Sequence, residues 1–180
     1  MGDNQLIFKV MKRLSIPLLL SILLMSCTEK KDNSAEMAFQ KNSETVLANL
    51  KGWQNENLDY SVYADDFAMI ETGFNSAKDS VGLEEMKASD KELWKAYDFK
   101  LLTDPVNLLP GVNQDTREPD GSVRYYGDWE ITRPATDSTA AKSAVIHTYE
   151  SFDFDENGKI RYQQIYGDFT GLLMYLNEND

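Results

Sequence analysis

The sequence predicts an α+β domain: helices first, then an antiparallel sheet that curls around them. Three observations carry this expectation. Val46, Leu47, Leu50 and Trp53 follow an i, i+1, i+4, i+7 spacing, which sets them on one helical face. From Asp98 onward the apolar pattern changes to period two, and long alternating runs cover 123–133, 143–155 and 159–168. Asp155-Glu156-Asn157-Gly158 joins the last two runs, and Asn-Gly between alternating segments is the strongest short-range hairpin signal. Helical segments followed by consecutive strands give α+β organisation, not alternating βαβ units.

Taken in order, Asn33 or Ser34 caps the first helix, with Met37 one turn inside, and the polar stretch 54–57 ends it. Residues 58–67 read as a short second helix on which Tyr60, Tyr63 and Phe67 share a face. A short strand over 68–72 is closed by Gly73. The next helix spans 80–97, with Leu83, Met86, Leu93, Trp94 and Tyr97 apolar and charges between them. Phe99, Leu101 and Thr103 then alternate with Lys100 and Leu102, and Pro105 and Pro110 make the following stretch irregular or edge-like. Pro119, Asp120 and Gly121 form a turn cluster. In the first long strand Val123, Tyr125, Gly127, Trp129 and Ile131 share a face; 134–142 is a polar loop. Residues 169–176 form either a short terminal helix or an edge strand. The sheet must curl to bury Trp53 and Trp94.

The N-terminal segment has a separate logic. Lys12 and Arg13 precede an apolar run over 14–25, too short to span a bilayer as a helix, which takes about 20 residues. Ser26 follows, then Cys27, the only cysteine. As a buried core helix the run would be interrupted by Pro17; as a simple cleaved signal it would leave Cys27 incidental. The order of charge, apolar run, small residue and cysteine resembles a bacterial lipobox. That resemblance implies a signal peptide over 1–26, lipidation of Cys27, and a charged tether to Ser34 (27–34) ahead of one domain over 35–180. It also implies a place in the bacterial cell envelope, and Thr28 after the cysteine resembles the signal for release to the outer membrane. A start at Met11 fits such a leader better than residues 1–10 do.

The chain of 180 residues carries a formal net charge of −12. Loss of 1–26 removes Lys9, Lys12 and Arg13 against Asp3 alone, so the remainder is more acidic still. Such a surface repels nucleic acid and anionic headgroups, which excludes nucleic-acid partners and leaves the lipid to hold the protein at the membrane. One acyl chain anchors only marginally; several hold stably. With Cys27 acylated no disulfide forms, and stability rests on the core.

Trp53 to Phe67 (W-Q-N-E-N-L-D-Y-S-V-Y-A-D-D-F) resembles the first two helices of the nuclear transport factor 2-like superfamily, especially its polyketide-cyclase-like (SnoaL-like) branch. Asp155 to Asp168 followed by Gly171-Leu172-Leu173 resembles that family's final hairpin and closing strand. Residues 104–122 depart from the pattern and read as an enlarged loop. The resemblance implies a cystatin-like cone with a pocket at its open end, in a superfamily that includes cyclases, isomerases, dehydratases, binding domains and proteins without known activity.

The chemistry on offer is thin. Asp168 matches the place where polyketide-cyclase-like enzymes can set a pocket carboxylate as base, but Asp also caps helices and orders turns, and the cap is the preferred reading. His147, the only histidine, stands in register with Val145 and Tyr149; it is the one imidazole available for acid–base work, while strand histidines are more often solvent-facing. Asp153, Asp155, Asn157 and Gly158 mimic the start of a calcium loop, yet Gln164 stands where the bidentate glutamate is needed, so a tight hairpin is expected and no metal. Asp65 and Asp66, adjacent on a helix, diverge. Tyr63, Trp94, Trp129, Tyr149 and Tyr166 are candidate ligand-stacking residues at the cone's mouth. No phosphate loop, metal cluster or Ser-His-Asp order is visible, and no cofactor is expected. The reading is a lipid-anchored domain binding a small apolar or aromatic ligand, or an envelope partner, without catalysis. The alternative is a cofactor-free isomerase, dehydratase or cyclase with Asp168 or His147 as base, which requires both to face one pocket. Dimerisation across the open sheet face is a third.

Overall fold

Helix α1 runs over Ser34–Gln54 and buries Asn42, Val46, Asn49 and Leu50, a stripe with helical spacing. Two of these are asparagines, and each is tied to the sheet: Asn42 Nδ2 donates to the Gly121 carbonyl at 2.9 Å and Asn49 Nδ2 to Tyr63 Oη at 2.7 Å. This is a computed structural model that describes residues 32–76 and 79–178. Cys27, the leader and most of the tether lie outside the described residues. No helix among those described is long and apolar enough to cross a membrane.

After α1 the expected second helix shrinks to one 3-10 turn, Tyr60–Val62, and the chain becomes strand β1, Tyr63–Ile70. The reason is tertiary. β1 lies between β2 (Ser80–Gly82) and β7 (Ile160–Tyr166), and its end, Ala68 to Ile70, pairs with both neighbours. Asp59 helps set the corner, accepting from the Ser61 amide at 2.9 Å. A register irregularity between Tyr63 and Ala68 leaves both Asp65 and Asp66 exposed. Asp66 accepts from Arg161 Nε at 2.9 Å.

Helix α2 covers Leu83–Ala96, shorter than expected because Ser80–Gly82 pairs with β1. β3 (Asp98–Leu101) and β4 (Asn107–Val112) share one edge of β5 (Pro119–Arg133), β3 along its C-terminal half and β4 along its N-terminal half. Pro110 sits in β4, at an edge, where its missing N–H is tolerated. β5, β6 (Lys142–Phe154) and β7 pair antiparallel in sequence order. The turn between β6 and β7 uses Asp155 as a backbone clamp: its carboxylate accepts from the Asn157 amide at 2.9 Å and the Lys159 amide at 2.8 Å, and Gly158 adopts φ 76°. Asp153 is engaged by Arg124 at 2.8 Å, so the carboxylates of the calcium-like phrase serve the hairpin and the sheet.

The seven-stranded sheet has the order β2-β1-β7-β6-β5-β3, with β4 also on β5. It is mixed where an antiparallel sheet was expected, because β1 runs parallel to β7. Residues 169–177 resolve as helix α3, Phe169–Asn177, not an edge strand. The sheet's inner face packs on α1 and α3 around Val46, Leu50, Tyr125, Phe152, Ile160 and Leu176. Gly127 belongs to that face for a steric reason: a Cβ there would sit 1.9 Å from Tyr125 Oη.

Candidate functional site

The inner face of the curled sheet does not fill completely. A cavity of about 340 Å³ remains between the sheet, α1, α2 and the start of α3. Each element contributes by its own periodicity. Helix α2 presents Met86, Ser89, Asp90 and Leu93, spaced i, i+3, i+4, i+7. Strand β6 presents Ile146, Thr148 and Glu150, spaced by two. Trp129 and Ile131 come from β5, Gln163 and Ile165 from β7, Trp53 and Asn49 from α1, and Tyr63 opens β1. The walls are mostly apolar and aromatic, with a few polar groups converging. That is the usual composition of a small-molecule pocket.

Two of the carboxylates in these walls are buried. Glu150 is only 6% exposed and Asp90 only 5%. Glu150 Oε2 accepts from Gln163 Nε2 at 3.2 Å. Gln163 Oε1 in turn accepts from Tyr63 Oη at 3.5 Å, and Tyr63 accepts from Asn49 Nδ2. The hydrogens thus run in one direction, Asn49 to Tyr63 to Gln163 to Glu150, and all four side chains line the cavity. Burial pushes the Glu150 carboxyl up to about 7, against a smaller opposite pull from the Gln163 hydrogen bond. Asp90 accepts from Tyr60 Oη at 2.8 Å. Burial raises it to about 6, and the Tyr60 hydroxyl offsets part of the rise. Tyr63 is raised chiefly by burial, and also by the charges of Asp90 and Glu150, which both act on it. The arrangement can hold a proton near neutrality at either carboxyl, or hold charge against a ligand that supplies the compensating sign.

The residues singled out in the sequence distribute unevenly around this cavity. Tyr63 and Trp129 line it. Trp94 stands behind Trp53, their rings 5.1 Å apart, and is not part of the lining. Tyr149 and Tyr166 lie on the other face of the sheet, where Tyr126, Tyr149 and Tyr166 form a row with ring separations of 4.8 and 6.1 Å. His147 is on that outer face too, its side chain 84% exposed and bound to Asp128 Oδ1 at 2.6 Å. Asp168 is the N-cap of α3, exposed, accepting from the Gly171 amide at 2.9 Å. Neither Asp168 nor His147 faces the cavity, so a base acting in it has to come from elsewhere.

Asp90 and Glu150 were legible in principle. Asp90 falls on the apolar stripe of α2, four residues after Met86 and three before Leu93. Glu150 continues the register of Ile146 and Thr148, the face opposite His147. A carboxylate in phase with buried apolar positions, not merely between them, was the available signal. Among the described residues no group of three or more His, Cys, Asp or Glu side chains is placed to hold a metal ion.

The curled mixed sheet and the helical layer packed on it have the nuclear transport factor 2-like fold. The fold is shared with a polyketide-cyclase-like protein of Xanthomonas campestris pv. campestris, at 16% identity and TM-score 0.59, over 78% of this chain and 99% of that one. An NTF2-like protein of Burkholderia xenovorans matches with TM-score 0.56 at 14% identity, over 77% of this chain and 97% of its own. An LEH-like epoxide hydrolase of M. tuberculosis matches with TM-score 0.53 at 18% identity, over 76% of this chain and 92% of that one. No protein-family model and no curated protein sequence matches the chain. Likeness at these identities establishes the fold; chemistry has to be argued from the residues.

Proposed function

We propose that this protein is a lipid-anchored envelope protein whose domain binds a small, largely apolar, ring-bearing molecule in the cavity between sheet and helices. The observation that carries the reading is the cavity itself: about 340 Å³, walled by Trp53, Phe99, Trp129 and aliphatic side chains, with Glu150, Gln163 and Tyr63 convergent on it. An apolar body supplies binding energy against such walls, and the few polar groups fix its orientation. The anchor rests on the sequence alone, on Cys27 behind its apolar leader. A library of aromatic metabolites screened by thermal shift on the purified chain tests the binding. Ligands of cavity size should raise the midpoint by several degrees, and a bulky Ile146→Trp substitution that fills the cavity should abolish the rise. A chain that no member stabilises overturns the reading.

A second reading is acid–base catalysis on such a molecule, with Asp90 or Glu150 in the place first considered for Asp168 and His147. The raised carboxyls favour it, since a base or acid works best with its pKa near the ambient pH. The fold accommodates the idea, because one protein sharing it is an LEH-like epoxide hydrolase. Conversion of any stabilising hit, lost in Glu150→Gln or Asp90→Asn, would move the protein into this class.

A further inference from the structure

The charge balance of the cavity is one-sided. Among the described residues lining it are three carboxylates, Glu71, Asp90 and Glu150, and no lysine, arginine or histidine. Asp90 and Glu150 are buried, and the partners found for them are neutral: the Tyr60 hydroxyl and the Gln163 amide. A buried carboxylate is costly unless a counter-charge or several hydrogen bonds compensate it. Nothing on the cavity wall supplies the counter-charge. The same wall carries the rings of Trp53, Tyr63, Phe99 and Trp129, whose faces are electronegative and attract cations.

We propose that the cavity's ligand carries a protonated amine or quaternary ammonium centre on an aromatic or otherwise apolar body, with the cation seated against Asp90 and Glu150. The inference rests on the binding reading above and narrows it to a ligand class. The cation supplies the missing charge, the rings contribute cation–π attraction, and the apolar body fills the remaining volume. Its pH dependence follows from the groups that face Glu150 and Asp90. These are the phenols of Tyr60, Tyr63 and Tyr125, which burial pushes up and keeps protonated near neutrality; Glu71 lines the same cavity, and Lys87, 5.4 Å over the Tyr60 ring and outside the lining, is paired with Glu84. Between pH 5 and 8 the ionisations of Asp90 and Glu150 therefore dominate, and each makes the cavity more negative as pH rises.

The test is calorimetry on the purified full chain with phenyltrimethylammonium, its neutral isostere tert-butylbenzene and the anion 3-phenylpropionate. At pH 8 the ammonium ion should bind about tenfold or more tighter than the isostere, the scale of a charge-assisted contact. Its advantage should shrink as pH falls to 5, whereas the isostere's affinity stays level; phenyltrimethylammonium keeps its charge throughout, so the change belongs to the protein. Glu150→Gln and Asp90→Asn should each remove most of the ammonium's advantage and leave the isostere within about twofold, with thermal melts confirming that both variants fold. The wild-type pH series stands even if a variant does not. Equal binding of ion and isostere, or tightest binding of the anion, overturns the inference while the cavity remains a binding site. Failure of all three probes to bind overturns both.

Discussion

Glu150 is the residue on which the site's chemistry turns, because a carboxyl with so little exposure must either keep its proton or find a partner. Its folded-state pKa, about 7, lies above the ordinary value of 4.5. Between those two values the folded chain retains a proton that the unfolded chain has released. The ligand-free domain should therefore lose stability as pH rises through this window and remain less stable above it. Glu150→Gln removes the effect. In denaturant titrations the variant should exceed wild type by about 3 kcal/mol at pH 8, with the gap closing below pH 5. A gap that persists unchanged at pH 4 would show that the carboxyl is not what the cavity burdens. The sequence concealed this residue because charged side chains in a strand are ordinarily assigned to solvent. His147, next but two along β6, drew attention by its type, although the pleat turns it outward.

At the scale of elements, what was legible depended on whether local pattern and tertiary pairing agreed. β5, β6, β7 and their Asn-Gly turn follow period two and pair with neighbours in sequence, so 123–133, 143–155 and 159–168 anticipate them to within a few residues. β1 is the counterexample. Tyr60, Tyr63 and Phe67 have helical spacing, yet the segment's partner is β7, almost a hundred residues away, and no local signal encodes that. The result also changed the sheet from antiparallel to mixed. Helix α3 was half-legible: Asp168 is the cap that the preferred reading made it. Asp168→Ala should cost about 1 kcal/mol of stability, the usual worth of an N-cap, measured by chemical denaturation. Because its carboxylate lies outside the cavity, the same variant should bind cavity ligands with unchanged affinity; a large loss of binding would show that α3 or its cap shapes the site more than its position implies.

For the molecule as a whole, the position in the cell proposed above rests on the N-terminal sequence and not on the fold. A surface of net charge −12 has no attraction for anionic headgroups, so the proposed membrane attachment rests on Cys27 alone. Cys27→Ser, expressed in a bacterial host, should move the protein from the membrane fraction to the soluble fraction, and intact mass should show the loss of the added lipid. Recovery of the variant with the membrane would reject the lipid anchor. The cavity is independent of this outcome, since every residue that lines it belongs to the unit Ser34–Asp180.

The parallel seam between β1 and β7 has a consequence for how the chain comes into being. β1, the first strand among the described residues, is sealed on one flank by β7, made almost a hundred residues later, so that flank stays open until β7 has left the ribosome. Contacts joining such distant stretches form slowly. A nascent protein with this seam stays unfinished until β7 emerges, and over that interval the waiting edge of β1 is open to any other strand or chaperone that can pair with it.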